Sequence, residues 1–387
     1  MGMRVIGFAS LLGAVLSAGC FGGSPESVGE AKAATETGRT ERAQAQNARN
    51  EALASARVWH PPVTPIAMAN LRDNPAGPDA FRSDQDVSCR FVVRTSGGMT
   101  PKFYCELDGG DVVKVKYGKA NAELPAEVAA TRLLSTLGFG ADRMYVVRRV
   151  RCAGCPRYPF PSLECVEKTG MKSVCLGGAI DYNRVVDFDA AIVERRFEGR
   201  VIEAHNDQGW SWYELDKIDP ARGGSAPAEV DALRLMAVLL AHWDNKGNNQ
   251  RLVCLPGGDT ADGKCTRPFA LLQDIGATFG PTKVDLHNWN QNRIWSDGAT
   301  CRVSMKALPY NGATFPDRQI SEQGRTLLLG WLEQLTDEQL HGLFEASRMT
   351  AFDQVSAQGR DPAAWVRVFR DKIKQIREGG PCPTASG

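Results

Sequence analysis

One stretch decides the fold prediction: His242-Trp243-Asp244-Asn245-Lys246-Gly247-Asn248-Asn249. The helix predicted before it, from Ala228 to Ala241, is apolar on almost all sides and must therefore be buried. Two short predicted strands follow the stretch, and the second runs into Gln273-Asp274-Ile275-Gly276. A polar cluster after a buried helix, followed by a hairpin ending in Asp-x-Gly, predicts that Asp244, Asn249 and Asp274 lie in one cleft.

These segments resemble two loops of the protein kinase superfamily. The spacing His-x-Asp-x-Lys-x-x-Asn is that of the kinase catalytic loop, and Asp274-Ile275-Gly276 stands where kinases have Asp-Phe-Gly. The resemblance implies that Asp244 accepts the proton of an attacking hydroxyl, with His242 and Lys246 as further catalytic residues. It also implies that Asn249 and Asp274 hold the Mg or Mn ions that bridge the phosphates of ATP.

The segment from 90 to 147 predicts a small lobe that binds the nucleotide. Two strands, at 89–93 and 102–105, flank a turn that contains Gly97 and Gly98. Glycines in such a turn let the backbone approach a ligand closely. Many ordinary hairpins also contain Gly-Gly, so the turn alone is a weak signal.

A third predicted strand, at 111–117, alternates so that Lys114 and Lys116 face one side and the valines face the other. The helix that opens near Leu124 carries Glu127. A glutamate opposite a strand lysine holds the ammonium where it neutralises nucleotide phosphates. The alternative is that both lysines are solvated on an edge strand and that Glu127 favours the helix N-terminus through the dipole.

Residues 191–199 predict a strand that leaves the small lobe. A kinase hinge would present backbone groups to an adenine there, and Glu194 is assigned as a neighbour of that hinge. A plain core strand with a charged end is an equally good interpretation of the pattern.

Together the segments predict an α+β, two-lobed kinase-like fold. We expect a small, mostly antiparallel β lobe with one helix at 59–200 and a larger, mainly helical lobe at 201–387. Three departures point to the atypical branch: Ser96-Gly97-Gly98 replaces the usual glycine loop, Trp243 replaces an arginine, and no Ala-Pro-Glu segment follows. Such compact loops are similar to those of HipA, phosphatidylinositol kinases and secretory Fam20-type kinases.

The first twenty residues predict a lipoprotein signal peptide. Arg4 precedes an apolar run to Leu16 that is too short to span a bilayer comfortably. The following Ser17-Ala18-Gly19-Cys20 resembles a lipobox, which implies removal of residues 1–19 and acylation of Cys20. The protein would then be anchored in the cell envelope, facing the periplasm or the exterior. An ordinary signal peptide with an accidental cysteine is the alternative.

After the anchor, residues 20–58 contain almost no large apolar side chains, so they predict a flexible tether. The formal net charge of +1 offers no basic field for nucleic acid, and nucleic-acid partners are not expected. The expected partners are the membrane, through the lipid, and an unknown hydroxyl acceptor that is a protein, a lipid or a small molecule.

Ten cysteines remain besides Cys20, and an exported chain is expected to pair them as disulfides. The predicted hairpins suggest two pairs: Cys89 with Cys105 around the glycine turn, and Cys254 with Cys265 across the second hairpin. A structural zinc site is the alternative for four of the others, namely Cys152, Cys155, Cys165 and Cys175.

The predicted function is that of an extracytoplasmic kinase that transfers the γ-phosphate of ATP to a hydroxyl with Mg or Mn. Two alternatives remain open at this stage. One is a catalytically inactive, kinase-fold binding or scaffold lipoprotein, because the compartment has no evident ATP pool. The other is a nucleotidyl transferase that uses the same nucleotide site.

Overall fold

The computed structural model describes residues 25–95, 97–204, 208–309, 312–352 and 357–384. The predicted signal peptide, Cys20 and Ser96 lie outside these ranges. The chain divides into two units, residues 1–44 and residues 45–387. Within the described ranges, no helix is both long and apolar enough to cross a membrane.

A helix, α1 (Pro25–Ala54), covers most of the predicted tether. Side chains from 39 to 48 are mostly exposed, as their composition predicts. The last turns differ, because Leu53 is buried and Arg49 is only 1% exposed. Arg49 donates hydrogen bonds to Glu214 at 2.8 and 3.1 Å. The C-terminal end of the predicted tether is therefore packed against the globular part. The composition of the segment does not predict this, because the partner of Arg49 lies 165 residues further along the chain.

The small lobe is built on a seven-stranded sheet with the strand order β4-β7-β3-β2-β1-β5-β6. All neighbouring strands are antiparallel except β1 and β5, which are parallel. The strands are β1 (Asp86–Val92), β2 (Lys102–Glu106), β3 (Val112–Lys116), β4 (Arg143–Val146), β5 (Arg149–Ala153), β6 (Val185–Asp189) and β7 (Ile192–Arg195). The helices of this lobe are α2 (Glu123–Thr136), α3 (Pro159–Thr169) and α4 (Lys172–Leu176), so two short helices join the single one expected.

Strand β3 alternates as predicted. Val113 and Val115 are buried in the sheet core, and both lysines lie on the opposite face. Helix α2 lies against that face, because Leu124 and Val128 pack on apolar side chains of β4 and β7. The alternation and the apolar stripe together bring α2 over the lysines.

The large lobe is mainly helical and contains a three-stranded sheet with the order β10-β9-β8 and a two-stranded ribbon of β11 and β12. Its strands are β8 (Arg200–Val201), β9 (Gln250–Cys254), β10 (Pro268–Leu272), β11 (Arg302–Val303) and β12 (Arg318–Gln319). Its helices are α5 (Pro227–Leu240), α6 (Leu286–Gln291), α7 (Glu322–Leu332), α8 (Asp337–Ala346), α9 (Met349–Phe352) and α10 (Pro362–Glu378). The predicted α+β fold class, with a mostly antiparallel sheet lobe and a larger, mainly helical lobe, is confirmed.

Five disulfides join all ten cysteines that follow Cys20, with Cα–Cα distances of 5.3 to 5.6 Å. The two pairs suggested by the sequence are both present. The four cysteines for which a zinc site was the alternative form two further disulfides. The pairs are Cys89–Cys105, Cys152–Cys155, Cys165–Cys175, Cys254–Cys265 and Cys301–Cys382.

The end of α1 gives a stability prediction. Arg49→Met removes the buried partner of the Glu214 carboxylate and leaves it only Lys217 and the amide of Ser211, so we expect a loss of about 2–3 kcal/mol in the free energy of unfolding. Burial would raise the pKa of Glu214, but hydrogen bonds from Arg49 and Ser211 and the charge of Arg49 lower it to about 2 from an ordinary 4.5. The loss should therefore be full above pH 4.5 and should shrink as the pH falls toward 2.

Urea unfolding of wild type and variant at several pH values measures this loss. Arg42→Met, on the exposed part of the same helix, is the matched control and should change stability by less than about 0.5 kcal/mol. Equal stability of the two variants would contradict the packing of α1.

Candidate functional site

The loop after α5 begins at a left-handed residue. Ala241 has φ +54°, which ends the helix, and the amide of His242 donates to the carbonyl of Ala237 at 3.0 Å. The amide of Trp243 then donates to the carbonyl of Ala277 at 3.2 Å. Backbone hydrogen bonds thus fix the predicted catalytic loop against the segment that follows Asp274.

Asp244 and Lys246 emerge from this loop toward solvent. Their side chains are 28% and 41% exposed, and Lys246 Nζ lies 3.1 Å from Asp244 Oδ1. The side-chain amide of Asn249 donates to the carbonyl of Asp244 at 2.7 Å. This bond fixes the amide orientation and leaves the oxygen of Asn249 as the atom available to a cation.

A residue that the motif does not specify holds the loop from the other side. Asn245 is fully buried, and its Oδ1 accepts from the amides of Thr314 and Phe315 at 2.8 and 3.0 Å. Its Nδ2 donates to the carbonyl of His242 at 2.9 Å. Asn245 therefore couples the loop to residues seventy positions away, which spacing alone does not reveal.

The hairpin β9–β10 brings Asp274 beside Asn249. Gln250 pairs with Leu272 across the hairpin, and the amide of Gln273 donates to the carbonyl of Asn249 at 3.1 Å. Asp274 follows in the left-handed region, with φ +43°. Aspartate tolerates this conformation better than most residues, and it turns the chain out of the strand.

Three carboxylates converge on the ammonium of Lys116, which is 1% exposed. Its Nζ lies 2.6 Å from Glu127 Oε2, 3.2 Å from Asp274 Oδ1 and 3.4 Å from Glu194 Oε2. Lys114 forms a further ion pair with Glu194. The predicted pairing of a strand lysine with Glu127 is thus present in the structure, and the solvated-edge alternative does not describe Lys116.

Burial and pairing set the charges in this cluster. Burial opposes the charge on Lys116, but Glu127, Asp274 and Glu194 outweigh it and raise its pKa well above the ordinary value. Burial raises the pKa of Glu127 to about 8, against the effect of Lys116. Lys116 is also the main cause of a pKa of Asp274 well below its usual range. Asp274, whose side chain is 40% exposed, is therefore a charged carboxylate that faces the cleft.

Glu194 lies on β7, the last strand of the seven-stranded sheet along the chain. This strand is paired on both sides, with β3 and β4, and the side chain of Glu194 lies in the ion cluster. Burial would raise its pKa, but Lys114 and Lys116 lower it to about 2. Glu194 and Lys114 also line a cavity of about 250 Å³ on the same sheet face, together with Tyr104 and Arg196.

His242 is not brought to the cleft. Its side chain is fully buried beneath the loop, near the ring of Trp212. Burial lowers its pKa to about 4, so that the imidazole is neutral at pH 7. The structure joins Asp244, Lys246, Asn249 and Asp274 but leaves this histidine in the core.

The glycine turn contains two different glycines. Gly98 has φ +89°, and a Cβ built on it would lie 3.0 Å from Lys102 Nζ. Gly97 has open space around the same position. The turn therefore lies over Lys102, a residue that the motifs did not select.

Glu123 is a further residue of the site that was not predicted from the sequence. It lies one helical turn before Glu127, and its carboxylate, that of Glu127 and that of Asp274 lie within 4.8 Å of one another. It forms an ion pair with Lys283, and a Cβ on Gly276 would lie 2.1 Å from its Cγ. The i, i+4 spacing of the two glutamates is the signal that identifies it, because such residues share a helix face.

No protein-family model matches the chain, and no curated protein matches it. Among solved structures, it is similar to the crystal structure of the Helicobacter pylori proinflammatory kinase CtkA. The identity is 10%, the TM-score is 0.39, and the similarity covers 76% of this chain and 94% of that chain. A likeness at this level carries no information on the substrate, cofactor or partners of this chain.

The ion cluster yields a second stability prediction. Lys116→Met leaves Glu127 and Glu194 buried without their shared cation, and we expect a loss of about 3–5 kcal/mol near neutral pH. Because the pKa of Glu127 is raised to about 8 from an ordinary 4.5, the folded state binds the extra proton between those values. Stability should fall as the pH rises through this window, more steeply in the variant.

Urea unfolding at pH 5 and pH 8 measures the difference. Lys119→Met removes the same charge from an exposed turn after β3 and is the control. If the two variants have the same stability at both pH values, the central role of Lys116 is wrong.

Proposed function

We propose that this chain is a kinase that transfers a phosphoryl group from ATP to a hydroxyl acceptor with Mg or Mn. One observation supports this most. Lys116 of the sheet lobe pairs with Glu127 and with Asp274, and the amide of Gln273 joins the segment that carries Asp274 to Asn249 in the loop that carries Asp244. Phosphoryl transfer requires positioning and charge neutralisation more than covalent chemistry, and these groups supply both.

The donor set fits a divalent cation that prefers oxygen. Three carboxylates converge, but Lys116 engages Glu127 and Lys283 engages Glu123. Asp274 contacts Lys116 through Oδ1, so its Oδ2 and the amide oxygen of Asn249 are left for a cation, one from a carboxylate and one neutral. Such a pair suits Mg or Mn that also binds phosphate oxygens and water. When bound, the ions supply positive charge to the phosphates as the transferred group departs.

Asp244 is the proposed base. As the acceptor oxygen forms its bond to the γ-phosphorus, the bond from that phosphorus to the bridging oxygen breaks, and the hydroxyl proton passes to Asp244. Lys246, 3.1 Å from the carboxylate, holds it in place and lies where a transferred phosphoryl group has negative charge. His242 takes no part in this scheme except to support the loop.

The cavity of about 250 Å³ beside Lys114 and Glu194 is the proposed place for the nucleoside. It continues the sheet face on which Lys116 lies, because Lys114 and Glu194 are cross-strand partners on that face. Both lysines of β3 would then contact the nucleotide, Lys116 through the phosphates and Lys114 nearer the nucleoside.

The compartment is also proposed. Five disulfides are typical of an oxidising environment, and the lipobox-like end at Cys20 suggests an anchor in the cell envelope. The fold and compact loops then favour the atypical kinases, with secretory Fam20-type kinases as an example. The acceptor would be a hydroxyl of a protein, a lipid or a small molecule outside the cytoplasm.

The mechanism predicts two distinct kinds of loss. Asp244→Ala should leave the binding of ATP and metal nearly intact but lower turnover by a hundredfold or more, about 3 kcal/mol of transition-state stabilisation. Asp274→Ala should weaken binding of both ATP and metal, because the bridging ion loses its carboxylate. The melting temperature with ATP and Mg, together with radiolabel transfer to generic acceptors, measures the two effects.

Each outcome has a distinct meaning. If wild type binds no nucleotide with Mg or Mn, and both variants melt like wild type, the roles assigned to Asp244 and Asp274 are wrong. The alternative of a binding or scaffold protein then replaces the kinase proposal. A substrate that gains the mass of a nucleotide instead of a phosphate would convert the proposal to nucleotidyl transfer. Asp317→Ala, a carboxylate remote from the cluster, is the control.

The anchor is tested separately. Cys20→Ser should abolish attachment of a fatty acid and release the protein from membranes, because the acylated thiol is lost. Metabolic labelling with a fatty acid and fractionation of the membranes measure both effects. Label that persists in the variant would overturn the lipoprotein proposal.

A further inference from the structure

We propose that Lys102 binds the terminal phosphates of the nucleotide from beneath the glycine turn, as a second cation besides Lys116. This inference rests on the proposed function and extends it to a residue outside the kinase-like motifs. Lys102 is the first residue of β2 and pairs with Lys116 across the β2–β3 ladder. The two ammonium groups therefore stand at the same end of neighbouring strands.

The position of Lys102 under the turn is close. A Cβ on Gly98 would lie 3.0 Å from Lys102 Nζ, so the glycine leaves room for the ammonium there. Lys102 is only 5% exposed. A cation at the tip of a long side chain is thus held under a turn whose backbone is free to approach a ligand.

Lys102 differs from its neighbours in lacking a partner. Lys114 is paired with Glu194, Lys116 with Glu127 and Lys283 with Glu123. Among the residues that the structure describes, the ammonium of Lys102 has no hydrogen bond and no ion pair. A buried charge without a partner costs free energy, since the water it has lost is not replaced. An anionic ligand would replace that water.

The surrounding charges favour an anion with several charges. Burial lowers the pKa of Lys102, and Lys116 and Lys114 lower it further, while Asp274 raises it. Lys102, Lys114 and Lys116 give this face three ammonium groups, and the carboxylates that face them are already shared. A polyphosphate chain, with one charge or more on each phosphate, offers the complementary pattern, whereas a neutral sugar or nucleoside does not.

The probes are ATP, inorganic tripolyphosphate and adenosine, each with MgCl₂, and the readouts are the melting temperature and the dissociation constant from calorimetry. Wild type should bind ATP and tripolyphosphate. Lys102→Met should raise the dissociation constant for both at least tenfold and leave adenosine unchanged. Without ligand, this variant should melt at or above the temperature of wild type, because an unpaired buried charge has been removed. A structural lysine would instead melt lower.

Two matched controls accompany the test. Lys119→Met removes an exposed lysine just beyond β3 and should bind all probes like wild type. Gly98→Ala should weaken polyphosphate binding, because its Cβ would lie 3.0 Å from Lys102 Nζ and its φ of +89° strains the turn. Gly109→Ala, in the turn between β2 and β3, should not, because its Cβ meets no atom within 4 Å.

The outcomes separate this inference from the proposed function. Unchanged binding of ATP and tripolyphosphate by Lys102→Met overturns the role of Lys102 and leaves the kinase proposal standing. Tripolyphosphate binding that depends on Lys102, without any binding of ATP, supports the phosphate site and overturns the nucleotide. If wild type binds neither probe, both proposals are wrong.

Discussion

The site depends on one buried ion cluster, in which Lys116 meets Glu127, Glu194 and Asp274. These carboxylates come from a helix, a neighbouring strand and the end of a hairpin in the other lobe. Desolvating such charges is costly, and only their mutual proximity offsets the cost. The cluster therefore specifies how α2, β7 and the Asp-Ile-Gly segment pack around β3.

A division of charge follows from this cluster. Glu123, Glu127 and Glu194 are each occupied by a lysine, while Asp244 and Asp274 have side chains that face the cleft. Asp244 and Asp274 also contact lysines, Lys246 and Lys116, but 28% and 40% of their side chains stay exposed. The ammonium of Lys102 has no ion pair in the described part of the chain.

Backbone hydrogen bonds and two asparagine side chains hold the loop from 242 to 249. The charged groups of Asp244 and Lys246 take no part in these hydrogen bonds. Asn245 accepts hydrogen bonds from the amides of Thr314 and Phe315, outside the loop. Within the loop, Asn249 donates to the carbonyl of Asp244. The loop thereby keeps one conformation while Asp244 and Lys246 stay accessible. The disulfide Cys254–Cys265 also stabilises this part of the structure. It links the end of β9 to the segment before β10, the strand that leads to Asp274.

The sequence by itself determined the fold class, the order of the site segments and the alternation that puts Lys114 and Lys116 on one face. Local periodicity and spacing carry this information, because each is a property of neighbouring residues. Only tertiary contacts place Glu194 in the ion cluster, bury His242 and pack the end of α1 through Arg49. These features are contacts between residues far apart in the chain or across neighbouring strands. Burial and pairing of charges arise only when distant segments meet, and no local pattern records them.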